Sequence, residues 1–134
     1  MDLIRKRWIV LAIALSVLGF LYGQNQNASF KNITAQQVYE KIQKGEKLIL
    51  VDVRTHEEFN GPLGHIEGAR LIPLDSLAER YGELLPVKDR EIIIYCRSGN
   101  RSRMASAFLA EKGLKVENML GGMKAWNDLN KQKK

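Results

Sequence analysis

Apolar and polar blocks alternate along the chain in a way that predicts strands separated by helices. Three apolar runs of strand length predict strands, at 47–53, 91–95 and 116–120. Four segments with amphipathic spacing predict helices, at 34–44, 75–85, 101–112 and 123–130. Thr34 and Gln37 have the spacing of a capping box, which marks the start of the first of these helices. Because unbroken apolar strands alternate with helices, the pattern predicts an α/β protein built on a parallel sheet.

The first 23 residues have the pattern of a targeting segment. Basic residues at 5–7 precede an uncharged apolar run at 8–22. This arrangement is typical of a secretory signal peptide, and an uncleaved run would be a transmembrane helix through residues 4–22, although it is short for a bilayer span. Both interpretations predict an exported domain, either periplasmic or anchored to the cytoplasmic membrane and facing outward.

The remainder of the chain is expected to form one small domain. Residues 24–32 are polar and predict a tether, 33–130 predict the folded domain, and 131–134 predict a basic tail. We expect the domain to be monomeric.

Charge and cysteine usage exclude several classes of function. The net charge is +6, but the basic residues outside the two termini are scattered, so we expect no nucleic-acid partner. A single cysteine excludes an intramolecular disulfide and a multi-cysteine zinc site. With only two histidines in the chain, we expect no metal centre.

Cys96 stands in the segment that points most directly to chemistry. It follows the predicted strand at 91–95 and begins a loop that leads into a helix, Arg97-Ser98-Gly99-Asn100-Arg101-Ser102. Sites in parallel sheets form beyond the carboxyl ends of strands, and a glycine-containing loop before a helix can aim several backbone N–H groups at one anion. Such surroundings lower a thiol pKa from about 8.5 to roughly 3.5–7.5. The loop therefore predicts a nucleophilic thiolate; the alternative is a small buried structural cysteine.

The segment 96–102 resembles the active-site loop of rhodanese-type sulfurtransferases. Three further stretches resemble that family in the same order: 52–54 with 57–59, 64–69 leading to 72–73, and 120–126. The resemblance implies a three-layer α/β/α sandwich around a parallel sheet of about five strands. It implies that Cys96 takes sulfur from a donor such as thiosulfate, becomes a persulfide, and passes the sulfur to cyanide or a thiol. Backbone N–H groups of 97–102 would hold the persulfide, Arg97 and Arg101 would attract the anionic donor, and no cofactor is implied.

Several residues around the loop are expected to support it. Asp52 and Arg54 end the first predicted strand, where Arg54 could add positive potential, but we favour an ion pair that ties loops together. For His65 we favour a fixed loop hydrogen bond over a general base. The glycines at 121–122 are expected to let the backbone pass close to the catalytic loop. Three methionines are expected to fill the core, Met104, Met119 and Met123, and Trp126 is expected to pack in the core or as a lid.

The sequence departs from the family pattern beside the predicted pocket. Residues 60–63, Asn-Gly-Pro-Leu, stand where the family usually has about two residues, and His56 occupies a position that is often proline. Both changes fall in loops that could rim the pocket. They put the substrate preference in doubt, but not the fold.

Two other functions remain open at this point. A phosphatase would need the spacing Cys-x5-Arg, whereas Arg101 gives Cys-x4-Arg and Ser102 stands at the x5 position. A non-catalytic interaction module would keep the fold for binding, although such domains often lack the cysteine. The intact loop favours sulfur transfer.

Overall fold

The computed structural model describes residues 2–25 and 29–133, with the side chains of 2–17 and 29–133. Five parallel strands form one sheet in the order β1-β5-β4-β2-β3. The strands are β1 (Lys31–Ile33), β2 (Ile49–Asp52), β3 (Arg70–Leu71), β4 (Ile92–Tyr95) and β5 (Val116–Met119). The helices are α1 (Asp2–Asn25), α2 (Ala35–Gln43), α3 (His56–Phe59), α4 (Leu77–Arg80), α5 (Asn100–Glu111) and α6 (Gly122–Gln132). This architecture confirms the expected α/β/α sandwich.

The two faces of the sheet bury separate cores because successive strand residues point to opposite sides. On one face, Ile92 and Ile94 of β4 pack against Leu109 of α5. On the other face, Ile93 lies in one cluster with Val38 of α2, Met119 of β5 and Met123 of α6. Every residue of β2 and β4 is buried, as their unbroken apolar sequences predict. The site at the carboxyl end of β4 is thus supported by helices on both faces.

The boundaries of the domain differ from the expected tether and tail. The tether expected at 24–32 overlaps α1 at its start and β1 at its end, while residues 26–28 lie outside the described part. β1 belongs to the sheet because the side chain of Ile33 is buried and its backbone pairs with that of Met119 in β5. At the other end, α6 continues to Gln132, into the segment 131–134 that is expected to be a basic tail.

The predicted helix at 75–85 is broken into shorter pieces. A 3-10 turn (Leu74–Ser76) precedes α4, and a second 3-10 segment (Tyr81–Val87) follows it. Gly82 weakens the helical conformation, and Pro86 has no N–H group to continue it. Leu84 is still fully buried, so the segment covers the sheet without forming one continuous helix.

The expected transmembrane helix over residues 4–22 is wrong. Within the described part of the chain, no helix combines the length and the apolar character that crossing a membrane requires. The uncharged run at 8–22 has 15 residues. At a rise of about 1.5 Å per residue this run is shorter than the roughly 30 Å hydrocarbon core of a bilayer.

Met104 is a second correction to the expectations. Its side chain is 60 % exposed on α5, whereas Met119 and Met123 are buried as expected. The α5 positions that face the sheet are Ser102, Ala105, Ser106 and Leu109, which leaves Met104 on the outer face. Trp126 is half-buried and lies 6.1 Å from the ring of Tyr39.

Candidate functional site

Cys96 lies directly after β4, and its sulfur points into the loop that begins α5. Cys96 is 1 % exposed. The N–H group of Gly99 donates to Sγ at 3.1 Å. Gly99 precedes α5 as its N-cap and has φ of 113°, a conformation that glycine adopts without steric cost. This left-handed residue turns the chain back toward Cys96, so the sulfur faces the N-terminal end of α5.

Ser102 completes the polar surroundings of the sulfur. In the neutral form the thiol of Cys96 donates to Ser102 Oγ at 3.3 Å, and that hydroxyl donates to the carbonyl of Gly99 at 3.1 Å. In the thiolate form the same hydroxyl is within reach to donate to Sγ instead. Burial raises the pKa of the Cys96 thiol, but hydrogen bonds from the Ser102 side chain and from the backbone at Ser102, Gly99 and Ser98 outweigh it. The net result is a pKa below the ordinary value for cysteine. The site therefore favours a thiolate in spite of its burial.

The glycines at the start of α6 hold the beginning of the catalytic loop. The N–H groups of Met123 and Lys124 donate to the carbonyls of Cys96 and Arg97 at 2.9 and 3.1 Å. A Cβ atom on Gly122 would collide with the carbonyl oxygen of Cys96 and would come within 2.6 Å of the Arg97 carbonyl group. The backbone of α6 thus approaches the loop as closely as only glycine allows, which is the arrangement that the sequence predicts.

Arg101 is paired with a residue to which the sequence analysis gave no role. Its guanidinium donates two parallel hydrogen bonds, each 2.7 Å long, to the carboxylate of Glu58. The Arg101 guanidinium lowers the pKa of Glu58 from 4.5 to about 2, with help from Thr55 and against the effect of burial. The positive charge expected to attract a donor at Arg101 is therefore already neutralised by a carboxylate.

Replacing Glu58 by glutamine is expected to destabilise the folded protein by about 1 kcal/mol at neutral pH, since a partly exposed ion pair contributes little more. Because the pKa of Glu58 is depressed to about 2, the wild-type advantage is present above 4.5 and is lost as the pH falls toward 2. Urea unfolding of both proteins across this range measures the difference. Glu83→Gln is the matched control, since Glu83 forms an exposed pair with Arg80 away from the loop. A difference that persists unchanged at the lowest pH would contradict this account.

Asp52 and Arg54 form a buried ion pair at the end of β2. Arg54 donates to Asp52 through its backbone N–H, Nε and Nη2, the last at 2.6 Å, and both side chains are at most 1 % exposed. The same Nη2 donates to the carbonyl of Gly64 at 2.7 Å. Arg54 also lies 6.0 Å from the centre of the Tyr95 ring. The pair ties the strand end to the loop at 61–64, and Asp52 neutralises its charge.

His65 makes a fixed contact within its loop. Its ring is stacked on Phe59 with centroids 3.6 Å apart, and Nδ1 lies 2.9 Å from the carbonyl of Phe59. Because a carbonyl can only accept, Nδ1 is the protonated nitrogen. The geometry orients His65 toward α3 rather than toward Cys96.

Arg97 differs from the two other arginines of the site. It is exposed, and it makes no salt bridge within the described residues. It borders a cleft of about 370 Å³ beside the loop. The lining residues are Arg54, Glu58, Pro62, Leu63 and Arg97. Arg97 is therefore the group of the loop that is most available to an anionic reactant.

Two residues that the sequence analysis did not select hold the loops of the site. Tyr95 ends β4, and its hydroxyl accepts a 3.1 Å hydrogen bond from the backbone N–H of Ile66. Asn127 on α6 donates to the carbonyl of Leu63 at 3.0 Å. Neither contact follows from residue spacing, because each joins segments far apart in the chain. Within the described residues, no cluster of His, Cys, Asp or Glu side chains is placed to hold a metal ion.

The fold and the site together define a class of protein, a parallel α/β domain that holds one cysteine in a cradle of backbone N–H groups before a helix. The chain belongs to the family described as Rhodanese-like domain, whose profile matches residues 34–129. A sulfurtransferase of Allochromatium vinosum is 37% identical over 95 residues, covering 70% of this chain and 85% of the relative. This relative supports rhodanese-type sulfur transfer in general.

Two further comparisons extend the resemblance. The protein YtwF of Bacillus subtilis is 39% identical over 103 residues, which span 77% of this chain and 96% of YtwF. The crystal structure of a rhodanese-related protein from Thermoplasma volcanium superposes with a TM-score of 0.67 at 30% identity, covering 75% of this chain and 93% of that one. The similarity therefore extends over 85%, 96% and 93% of the lengths of these three proteins.

Proposed function

We propose that this protein is a sulfurtransferase that moves sulfane sulfur through a persulfide on Cys96, with thiosulfate as one donor and a thiol or cyanide as acceptor. The observation that supports this most directly is the hydrogen bond from Gly99 to Sγ at the start of α5, together with the lowered pKa of the thiol. A thiolate is the attacking species in sulfur exchange. The cradle stabilises a negative sulfur through hydrogen bonds to Sγ.

In the first half-reaction, the thiolate of Cys96 attacks the outer sulfur of thiosulfate. A bond forms between Sγ and that sulfur, the sulfur–sulfur bond of thiosulfate breaks, and its electron pair leaves with sulfite. The negative end of the resulting persulfide replaces the thiolate as the anion near the N-terminus of α5. Arg97 is exposed beside the cleft and is the cation placed to attract the donor and the departing sulfite.

In the second half-reaction, an acceptor thiolate attacks the outer sulfur of the persulfide. The new bond joins the acceptor to that sulfur, while the Cys96 sulfur–sulfur bond breaks and returns its electron pair to Sγ. Because the cradle lowers the pKa of Cys96, the restored thiolate is a good leaving group. The same hydrogen bonds therefore assist both halves of the cycle.

The pairing of Arg101 argues against the phosphatase alternative. A phosphate-binding loop needs an arginine that is free to hold the phosphoryl oxygens, and Arg101 gives both arms of its guanidinium to Glu58. A phosphoryl group bound there would meet an arginine whose charge is already neutralised by a carboxylate. The non-catalytic alternative is separated from catalysis by the loading experiment below.

Incubation with thiosulfate is expected to add one sulfur atom, about 32 Da, to the intact protein, because each chain has one nucleophilic cysteine. The added mass should be lost on treatment with cyanide, with release of thiocyanate and recovery of the original mass. Intact-mass spectrometry measures both steps, and an aryl phosphate assay of the same sample tests for phosphatase activity. A protein that acquires no cyanide-labile sulfur from any donor would instead favour the binding-module alternative.

Export of the domain is part of the same proposal. The basic residues at 5–7 and the apolar run at 8–22 support a cleaved signal peptide. The intact-mass measurement, made on protein recovered from its own cells, also reports the N-terminus. A mass that includes residues 1–23 would contradict cleavage.

A further inference from the structure

We infer that the cleft lined by Arg97, the residue that follows Cys96 in the chain, recognises an acceptor thiol with an unbranched apolar chain and a single anionic group, bound by Pro62 and Leu63 and by Arg97. This inference rests on the proposed function and assigns its acceptor class. It arises from the charges of the cleft and from the composition and fixation of the loop at 61–64.

The charges around the cleft leave one net positive charge. Arg54 is neutralised by Asp52 at 2.6 Å, and Glu58 is neutralised by Arg101 at 2.7 Å. Within the described residues, Arg97 has no such partner among the salt bridges. One anionic group on a reactant therefore matches Arg97, and a second would find no further unpaired cation among the residues that line the cleft.

Two apolar residues, which we call the apolar wall, line the cleft together with its charged residues. Pro62 is exposed and Leu63 is half-buried, and both line the cleft. These two residues belong to the segment at 60–63 in which the sequence departs from the family pattern. A bare inorganic anion gains nothing from such a surface, whereas a hydrocarbon chain gains about 0.8 kcal/mol for each methylene that it buries.

The wall is held in place rather than left as a loose loop. The carbonyl of Leu63 accepts from Asn127 at 3.0 Å, and the carbonyl of Gly64 accepts from Arg54 at 2.7 Å. Within the loop, the N–H of Gly64 donates to the carbonyl of Gly61 at 2.9 Å. A fixed surface loses little conformational entropy when a ligand binds, so it can discriminate between ligands of different shape.

The volume of the cleft also fits an organic acceptor. It measures about 370 Å³, within the range of roughly 300–1,000 Å³ that is typical of sites for small organic ligands. In the reaction, the acceptor thiolate attacks the outer sulfur of the persulfide, the bond to Sγ breaks, and the acceptor leaves as a persulfide. The chain on the wall and the anionic group at Arg97 orient the attacking sulfur in this step.

The test measures kcat/KM for acceptor thiols with protein already loaded with sulfur. The probes are mercaptohexanoate and mercaptopropionate, which carry the thiol and the carboxylate at opposite ends, with mercaptohexanol as the neutral probe and mercaptosuccinate as the doubly charged one. We expect mercaptohexanoate to exceed mercaptopropionate by up to about fifty-fold, since it can bury three more methylenes. It should exceed mercaptohexanol by about two- to five-fold, since its carboxylate adds one exposed charge contact, and mercaptosuccinate, which lacks the chain, should also react more slowly. The sulfur loading is verified by mass before the acceptors are added. A failure of the proposed function, which would prevent loading, is therefore distinguished from a failure of the acceptor preference.

Two variants assign the preference to its residues. Arg97→Gln should remove the advantage of mercaptohexanoate over mercaptohexanol, and Pro62→Ala should reduce its advantage over mercaptopropionate. Pro86→Ala is the matched control, since Pro86 is exposed and lies outside the cleft. Equal rates for the charged and neutral probes, a faster reaction with mercaptosuccinate, or variants that keep the full preference would each overturn the inference.

Discussion

Replacing Cys96 by serine is expected to abolish sulfur transfer, with a fall in kcat/KM of at least about a thousand-fold, as for other nucleophiles that form a covalent intermediate. Serine keeps the size and polarity of the side chain, but its hydroxyl is not ionised at neutral pH and does not form a stable persulfide analogue. The thiosulfate–cyanide assay measures the loss, and the added mass of sulfur should disappear with it. Full residual activity in the variant would refute the assignment of Cys96.

Ser102→Ala is the informative companion to the Cys96 variant. The hydroxyl of Ser102 helps to lower the pKa of Cys96, so its removal should move the rise of activity with pH toward higher values. Activity should be recovered at high pH, where the thiolate forms without that hydrogen bond, whereas the Cys96 variant stays inactive at every pH. A profile unchanged by Ser102→Ala would mean that the backbone N–H groups alone set the pKa.

The centre of the fold and the site could be predicted because both depend on local patterns. The runs at 47–53 and 91–95 contain β2 and β4. An apolar segment of this length can be buried on both sides only as an inner strand of a covered sheet. The position of Cys96 after such a strand and before a helix implied the N–H cradle that the structure contains. Local composition specifies this part of the molecule almost completely.

The remaining features depend on contacts between distant segments. β1 has three residues and β3 has two, which is too short for a pattern of apolar residues to predict a strand. Each forms by pairing its backbone with a neighbouring strand at one edge of the sheet. The pairing of Arg101 with Glu58 joins residues 43 positions apart, so spacing alone gave Arg101 a free charge. Met104 is apolar, yet the small residues of α5 face the sheet and Met104 lies on the exposed face of the helix.

The position of the catalytic loop depends on the absence of a side chain at Gly122. It has φ of 55°, and an added Cβ would overlap the carbonyl oxygen of Cys96 and approach the Arg97 carbonyl carbon to 2.6 Å. Both obstacles are backbone atoms, which cannot rotate away as a flexible side chain would. Relief of the overlap requires α6 and the catalytic loop to separate, which would break the hydrogen bonds from Met123 and Lys124.

Gly122→Ala is therefore expected to destabilise the protein by about 3–5 kcal/mol, as backbone strain and overpacking each contribute about 1–3 kcal/mol. Gly113→Ala separates the two causes: Gly113 has φ of 84° but no atom within 4 Å of an added Cβ, so this variant should lose only about 1 kcal/mol. Urea unfolding measures both losses. In folded Gly122→Ala protein, the displaced loop should also raise the pKa of Cys96, read from the pH dependence of alkylation by iodoacetamide. Equal losses in the two variants, with an unchanged alkylation profile, would show that α6 does not position the catalytic loop.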